Sequence, residues 1–505
     1  MPSKPLITFI MCVLDENNEF TTTNNIYKAR DSLAAAKKAF RVHRNFNPVY
    51  ILNTNNNKIY EYDTSTFFTK KKDSAEYFKA SNSVGPVLLL LTVFGTTMTA
   101  FALVGSSGEA YKKGIGAYGL MASWSGLIHS AVFFLVGIKL WAFGKKYNYS
   151  TQIQFFKARY ESKALGFMFF PVLVGLVIPY LLIGVMAGGG ALAGISKGML
   201  SPGGAGALIC GVVLVYVFFG GMRGTTWANA MQTLVFIITG IIAFYMISNK
   251  LGGMQAASEA VLNSPKAGHL AREGNYEHAE FFSYLLIPLS VGMFPHLFQH
   301  WLTAKSAKSF KLSVGLHPIC IMLVWVPCVL IGIWATSVVV NPVKGVPVLV
   351  EMIKMLKSPI MGGILSAGIL AAIMSSLDSQ FMCVGTMFTN DVLFNIKDEK
   401  NFTDKQKIWA GRTFIVLIVV ITWGIAQVAP RDVFKMAVWC FSGFASLFPI
   451  VFAALYWKRA TKVGAMASLI VTAALWCVLF FRAAGAKFAH ETELILGVMP
   501  VTFMF

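Results

Sequence analysis

The sequence predicts an all-α polytopic membrane protein. Its core is two five-helix blocks in inverted orientation, preceded by a small α+β soluble domain. Three observations carry that reading. Hydrophobic residues make up 56% of the 505 residues and charged residues only 13%, about half the ~25% of a globular chain. Apolar stretches close to the ~20 residues that cross a bilayer recur from residue 84 onward, so the excess is spread over many spans. Two of these stretches, five helices apart, are interrupted mid-span by Gly, Thr or Pro.

Residues 1–73 differ from everything after them and form the first domain. "LITFIMCVL" (6–14) reads as a buried strand. Residues 24–44 place Ile26, Ala29, Leu33, Ala36 and Phe40 at helical spacing, which predicts a helix. "VYILNTNNNKIYEYD" (49–63) reads as two strands around an Asn-rich turn.

The core occupies 74–481. Its eleven expected spans are 84–108, 117–142, 165–190, 203–220, 226–247, 281–303, 312–340, 360–393, 408–428, 433–457 and 462–481. Residues 482–505 end in "ELILGVMPVTFMF". That run is too short for a ~30 Å hydrocarbon core, so the segment is expected to be the start of a truncated twelfth helix. Lys and Arg are denser in the even-numbered loops. The positive-inside rule puts those loops, and with them residues 1–73, in the cytoplasm of a cell carrying this multi-pass protein in its membrane.

The net charge of +20 and pI near 9.6 then belong to the loops. No arginine-rich helix with interleaved aromatics supports nucleic-acid binding, so the expected partners are the bilayer, a small-molecule substrate and an ion. Seven cysteines form no CxxC pair, which argues against a disulfide framework or a cysteine metal site. The sequence holds no HExxH or P-loop motif and no GxSxG elbow between a strand and a helix, and no catalytic residue is expected.

The first span reads "LLLLTVFGTTMTAFALVGSSG" (88–108) and the sixth "YLLIPLSVGMFPHLFQH" (284–300). Each starts a block of five helices. Five is odd, so the second block enters from the opposite side. Broken helices at matching positions of inverted repeats mark the binding site of a transporter.

The eighth span carries "AAIMSSLDSQ" (371–380). An ionised Asp at a bilayer centre costs roughly 2.5–3.5 kcal/mol on insertion scales. At about 100° per residue, Ala372, Ser375, Ser376 and Ser379 share one face and Asp378 sits at its edge. Small residues let another helix approach closely. Hydroxyls on such a face offer uncharged oxygen ligands to a weakly held monovalent cation. A serine-rich helix contact fits the same spacing.

The resemblance is more specific. "GILAAIMSSLDSQFMCVGTMFTNDV" (368–392) resembles the eighth core helix of the sodium:solute symporter family. Residues 74–116 resemble its first helix and lead-in, "VFFGGMRGTTWANAMQ" (217–232) its Gly-Gly segment, "GMFPHLFQHWLTAKS" (292–306) its sixth helix and 440–471 its tenth and eleventh. The resemblance implies a LeuT-type 5+5 inverted-repeat core and sodium-coupled import of an amino acid or small organic acid by alternating access. It implies a sodium site of the carbonyls of Gly95, Met98 and Ala372 and the hydroxyls of Ser375 and Ser376. It implies substrate contacts at Thr97, Thr99, Phe101, Ser290 and Phe441. Thr97 stands where the sodium/proline symporters of the family carry Asp, and His300 where Arg is frequent. The soluble domain replaces an extra first helix found in many members.

Two rival readings remain. A membrane solute sensor or channel could use the same core; concentrative uptake in vesicles separates them. His296 and His300 form an HxxxH pair, with His129 and His317 on other spans. Without a third ligand this is a weak metal or haem signal.

Overall fold

The computed structural model describes residues 7–14, 20–29, 35–36, 49–56 and 58–62 of the N-terminal segment. From residue 74 on, it describes all but 80–83, 272–275, 277, 344, 430–431 and 486–505. The chain divides into two compact units, Met1–Asp73 and Ser74–Phe505.

The first unit holds an antiparallel sheet in the order β2-β1-β3-β4. Its strands are β1 (Ile7–Leu14), β2 (Phe20–Ala29), β3 (Val49–Asn53) and β4 (Lys58–Tyr62). Asn53 Oδ1 accepts the Asn55 N–H at 2.9 Å and shapes the β3–β4 turn. The helix expected over 24–44 is corrected at its start, because 24–29 belong to β2. Thr21, Thr22, Thr23, Ile26 and Tyr27 favour the pleated conformation, and β2 pairs with β1 from Leu14↔Phe20 to Ile7↔Ala29. Ile26, expected on a buried helix face, is 63% exposed. Ala35 and Ala36 are helical and buried; the rest of 30–48 lies outside the described residues.

The second unit is helical. A short helix, α1 (Ser74–Lys79), precedes α2 (Pro86–Thr97) and α3 (Phe101–Lys113), a bent pair at 55°. Then come α4 (Gly116–Tyr147), α5 (Gln152–Arg159), α6 (Lys163–Ile195) and the long α7 (Pro202–Lys250). Gly221 stands inside α7 with φ 55° and ψ −161°. It divides α7 into the two spans expected there. A second pair, Glu280–Gly292, which ends in a 3₁₀ turn (Ile287–Gly292), and α8 (Pro295–Thr303), bends by 49°. After these follow α9 (Phe310–Val338), α10 (Pro359–Met387), α11 (Asp404–Val428), α12 (Val433–Ser446), α13 (Phe448–Tyr456) and α14 (Lys462–Gly485).

Among the described residues, seven helices are long and apolar enough to cross a membrane, or nine if each bent pair is one span. Counting α7 as two and adding the shorter apolar run Lys462–Val478 brings these to eleven. The start of 482–505 continues α14 to Gly485, and 486–505 lies outside the described residues.

Helix α10 is the centre of the bundle. From Ala371 to Met387 every residue except Met374 is buried. Neighbours reach it because glycines remove the obstacle: a Cβ at Gly184 of α6 would lie 2.6 Å from Leu377 Cδ2. The polar run 375–380 therefore faces protein on all sides.

Candidate functional site

The break after α2 exposes a carbonyl. In an unbroken helix Gly95 O would accept the Thr99 N–H. Here that N–H turns to Thr97 O at 3.1 Å. Ser375 Oγ of α10 takes its place, donating to Gly95 O at 2.8 Å and lying 2.9 Å from Ala372 O. The structure thus brings Gly95, Ala372 and Ser375 together. Ser376 Oγ instead donates back to Ile373 O at 3.1 Å. Met98 is the residue at which α2 ends, its N–H on Phe94 O at 2.8 Å.

Beside this cluster, a cavity of about 30 Å³ lies between the two broken helices, room for about one water. Thr97, Met98, Phe101, Ser290 and Phe441 line it. Thr99 does not: its hydroxyl accepts the Phe101 N–H at 3.0 Å and caps the start of α3. Ser125, His129, Tyr180 and Trp325 also line the cavity and were not singled out for it from sequence. The Phe441 ring stands 5.4 Å from Phe101 and 5.0 Å from Tyr180. Phe101 packs at 5.0 Å on Phe434, which lines a vestibule of about 500 Å³ on its other side. These two rings are the wall between vestibule and cavity. At the vestibule rim Lys112 Nζ meets Asp432 Oδ2 at 2.8 Å. Burial works against the ionised Asp432, but Lys112 and Lys435 together outweigh it and hold the carboxyl below the ordinary range.

Comparison with known proteins fixes the family. The model of the sodium:solute symporter family matches residues 77–472. The chain belongs to the sodium:solute symporter family. It is similar to the sodium/proline symporter of Haemophilus influenzae, at 26% identity over 79% of this chain and 81% of that one. To the sodium/pantothenate symporter of Escherichia coli the identity is 27%, over 80% and 84%. Among solved structures, a Na+-coupled sialic acid symporter in a substrate-bound outward-open state superposes with a TM-score of 0.66 at 16% identity, over 86% of this chain and 92% of that one. Mhp1, a nucleobase-cation-symport-1 family transporter, superposes at 0.52 and 14%, over 85% and 94%. These two establish a shared fold. The protein is a membrane transporter that couples sodium to a small organic solute, and not an enzyme.

One end of the symporter's bundle is bound by α1. Tyr77 OH donates to Val217 O at 3.2 Å, and the Arg412 guanidinium lies 5.3 Å from the Tyr77 ring. Gly221 is required here: its φ is left-handed, and a Cβ would lie 2.7 Å from Tyr77 Cδ2. Lys79 Nζ donates to Asn148 O at 2.7 Å and Asn148 Oδ1 at 2.8 Å. Burial pushes Lys79 down to about 8, with Glu399 opposing. Val84 pairs with the end of α8, its N–H on Thr303 O at 3.0 Å.

A polar network joins this end to the sodium candidates. Ser379 Oγ lies 3.0 Å from Thr96 Oγ1, 2.8 Å from His300 Nε2, 3.1 Å from Asp378 Oδ1 and 3.3 Å from Ser375 O. Asn229 Nδ2 donates to Ser379 Oγ and Thr96 Oγ1 at 2.8 and 3.0 Å. Tyr216 OH donates to Asp378 Oδ2 at 3.0 Å. Asn229 and Tyr216 gave no signal of their own in the sequence. His129 Nδ1 and His317 Nε2 lie 3.1 Å apart and bond each other. No group of three or more His, Cys, Asp or Glu suited to a metal occurs among the described residues.

Proposed function

We propose that the symporter is a LeuT-type machine whose two five-helix blocks rock about the broken helices, importing its solute by alternating access. Sodium sits between α2 and α10, held by the carbonyls of Gly95, Met98 and Ala372 and the hydroxyls of Ser375 and Ser376. The observation that carries this is the Gly95 carbonyl, released by the break and met by Ser375 at 2.8 Å. When the ion arrives, Ser375 Oγ turns a lone pair toward it, and the ion replaces a hydrogen bond that already draws the broken helix to α10. Ser376 gives up its bond to Ile373 O in the same step. The solute occupies the aromatic site beside Met98, touching Thr97, Phe101, Ser290 and Phe441 once these side chains part to widen a cavity that here has room for about one water. The vestibule is the outer approach, and the α1 strap closes the inner one.

Residues 1–73 lie in the cytoplasm as a soluble α+β domain. The loop charges support this. So do Lys79 of α1, which binds Asn148, and Val84, which binds Thr303 and Lys305, both beside loops that the same rule puts inside.

The test is sodium activation of solute uptake in proteoliposomes. Ser375→Ala should raise the half-saturating sodium concentration about tenfold, the equivalent of ~1.4 kcal/mol, and solute affinity should fall in step because the coupling is reciprocal. Unchanged sodium activation in both Ser375→Ala and Ser376→Ala would move the site elsewhere.

A further inference from the structure

We infer that the solute is a small monocarboxylate with an apolar body, and that His129 donates the hydrogen bond that recognises its carboxylate. This deepens the proposed solute site and rests on it. The charge balance comes first. Among the described residues, no Asp, Glu, Lys or Arg lines the cavity. The proposed sodium ligands are all neutral oxygens, and Met98 belongs to both sites. A sodium ion entering beside this cavity brings a positive charge that the cavity wall does not balance. An anionic solute supplies the balance, so that ion and solute enter as a neutral pair. A cationic solute would set two positive charges side by side in a water-poor site.

The donor comes from the histidine pair. His317 is fully buried, and its Nδ1 has no hydrogen-bond partner among the described residues. A sealed N–H without an acceptor is a rare and costly defect. The bare nitrogen of His317 is therefore Nδ1, and its proton is on Nε2. That proton is donated to His129 Nδ1, 3.1 Å away. A neutral imidazole carries one proton, so His129 holds its own on Nε2. His129 keeps 8% of its surface accessible and lines the cavity. His317 thus positions His129, by fixing its tautomer, to offer an N–H to the solute. Besides the hydroxyls of Thr97, Ser125 and Ser290, the wall is mostly apolar, with the rings of Phe101, Tyr180, Phe294, Trp325 and Phe441. They suit an apolar body and offer no acidic partner to an ammonium.

The experiment is a thermal-shift titration of the purified full-length protein, with sodium or with N-methylglucamine. It uses matched monoanions, zwitterions and cations: 3-phenylpropionate, phenylalanine and phenethylamine, then valerate, proline and choline. Monocarboxylates should stabilise the protein in sodium only, at concentrations at least tenfold below those of their zwitterionic and cationic counterparts. His129→Gln, which keeps an N–H donor, should retain this preference. His129→Leu should lose at least tenfold in carboxylate affinity while the shift from sodium alone stays unchanged. A zwitterion or cation that binds more tightly than its matched monocarboxylate overturns the inference, as does wild-type carboxylate affinity in His129→Leu. If sodium alone shifts the protein and no solute of any class adds to it, the cavity is not the solute site and the reading beneath the inference falls with it.

Discussion

Gly95→Ala tests whether the break of α2 is held where the sodium reading needs it. A Cβ at position 95 would lie 2.0 Å from Thr233 Oγ1, 3.3 Å from Asn229 O and 3.4 Å from Thr233 Cβ. The first contact is impossible and the others are tight to ordinary. Thr233 must therefore swing away, losing its bond to Leu91 O at 2.9 Å. That bond is worth about 1 kcal/mol net, and overpacking adds about 1–3 kcal/mol. The expected destabilisation is about 2–4 kcal/mol. Thr233→Ala alone loses only the hydrogen bond. In the double variant the offending oxygen is gone, and only the 3.3 and 3.4 Å contacts remain. At least half the loss should return, so the cycle is strongly non-additive. The assays are thermal unfolding in detergent and sodium titration of uptake. Because the displaced turn carries Gly95 O, sodium affinity should fall in Gly95→Ala and recover in the pair. Wild-type stability and sodium response in Gly95→Ala, or plain additivity in the pair, would refute the packing argument.

Four further outcomes are expected. Asp378→Asn keeps an acceptor for Tyr216 OH, so transport should persist in part with sodium affinity changed only a few-fold; abolished sodium activation would make the carboxylate a ligand. Gly221→Ala forces a side chain into left-handed backbone against Tyr77, which should cost at least ~1–3 kcal/mol and lower the melting temperature. Lys79 sits near 8 while strapped and returns toward ~10.4 when opening exposes it to water. Opening therefore takes up a proton between about pH 8 and 10. Below that window the lysine is charged in both states; as pH rises through it the strapped state gains stability, and uptake should slow in wild type but not in Lys79→Gln. Deleting residues 1–73 should leave sodium-driven uptake measurable; a folded, inserted deletion that neither binds nor moves solute would make the domain part of the mechanism.

Spans and breaks were legible because they rest on local chemistry. A bilayer demands long apolar runs, and Gly95, Pro288, Gly292 and Pro295 interrupt two of them where helical hydrogen bonding fails. The start of the expected helix at 24–44 was misread because Ile26 and Ala29 fit helical spacing while their Thr-rich neighbours fit a strand. Only pairing with Ile7–Leu14 decides between the two. Thr99, which caps the start of α3 and does not line the cavity, shows a similar ambiguity. A hydroxyl in a broken helix can face solute or cap the next turn, and the choice belongs to the backbone angle after Met98. The run at 375–380 announced itself by its cost in a membrane, but a costly group says only that partners exist. The partners found here are Tyr216, Asn229 and His300, scattered over α7 and α8. Two of them lie in stretches that read as ordinary apolar spans. A buried acid requires such partners, and the bundle's topology selects which helices supply them. This is why the cost of Asp378 could be read from sequence while Tyr216, the residue that bonds it, could not be named.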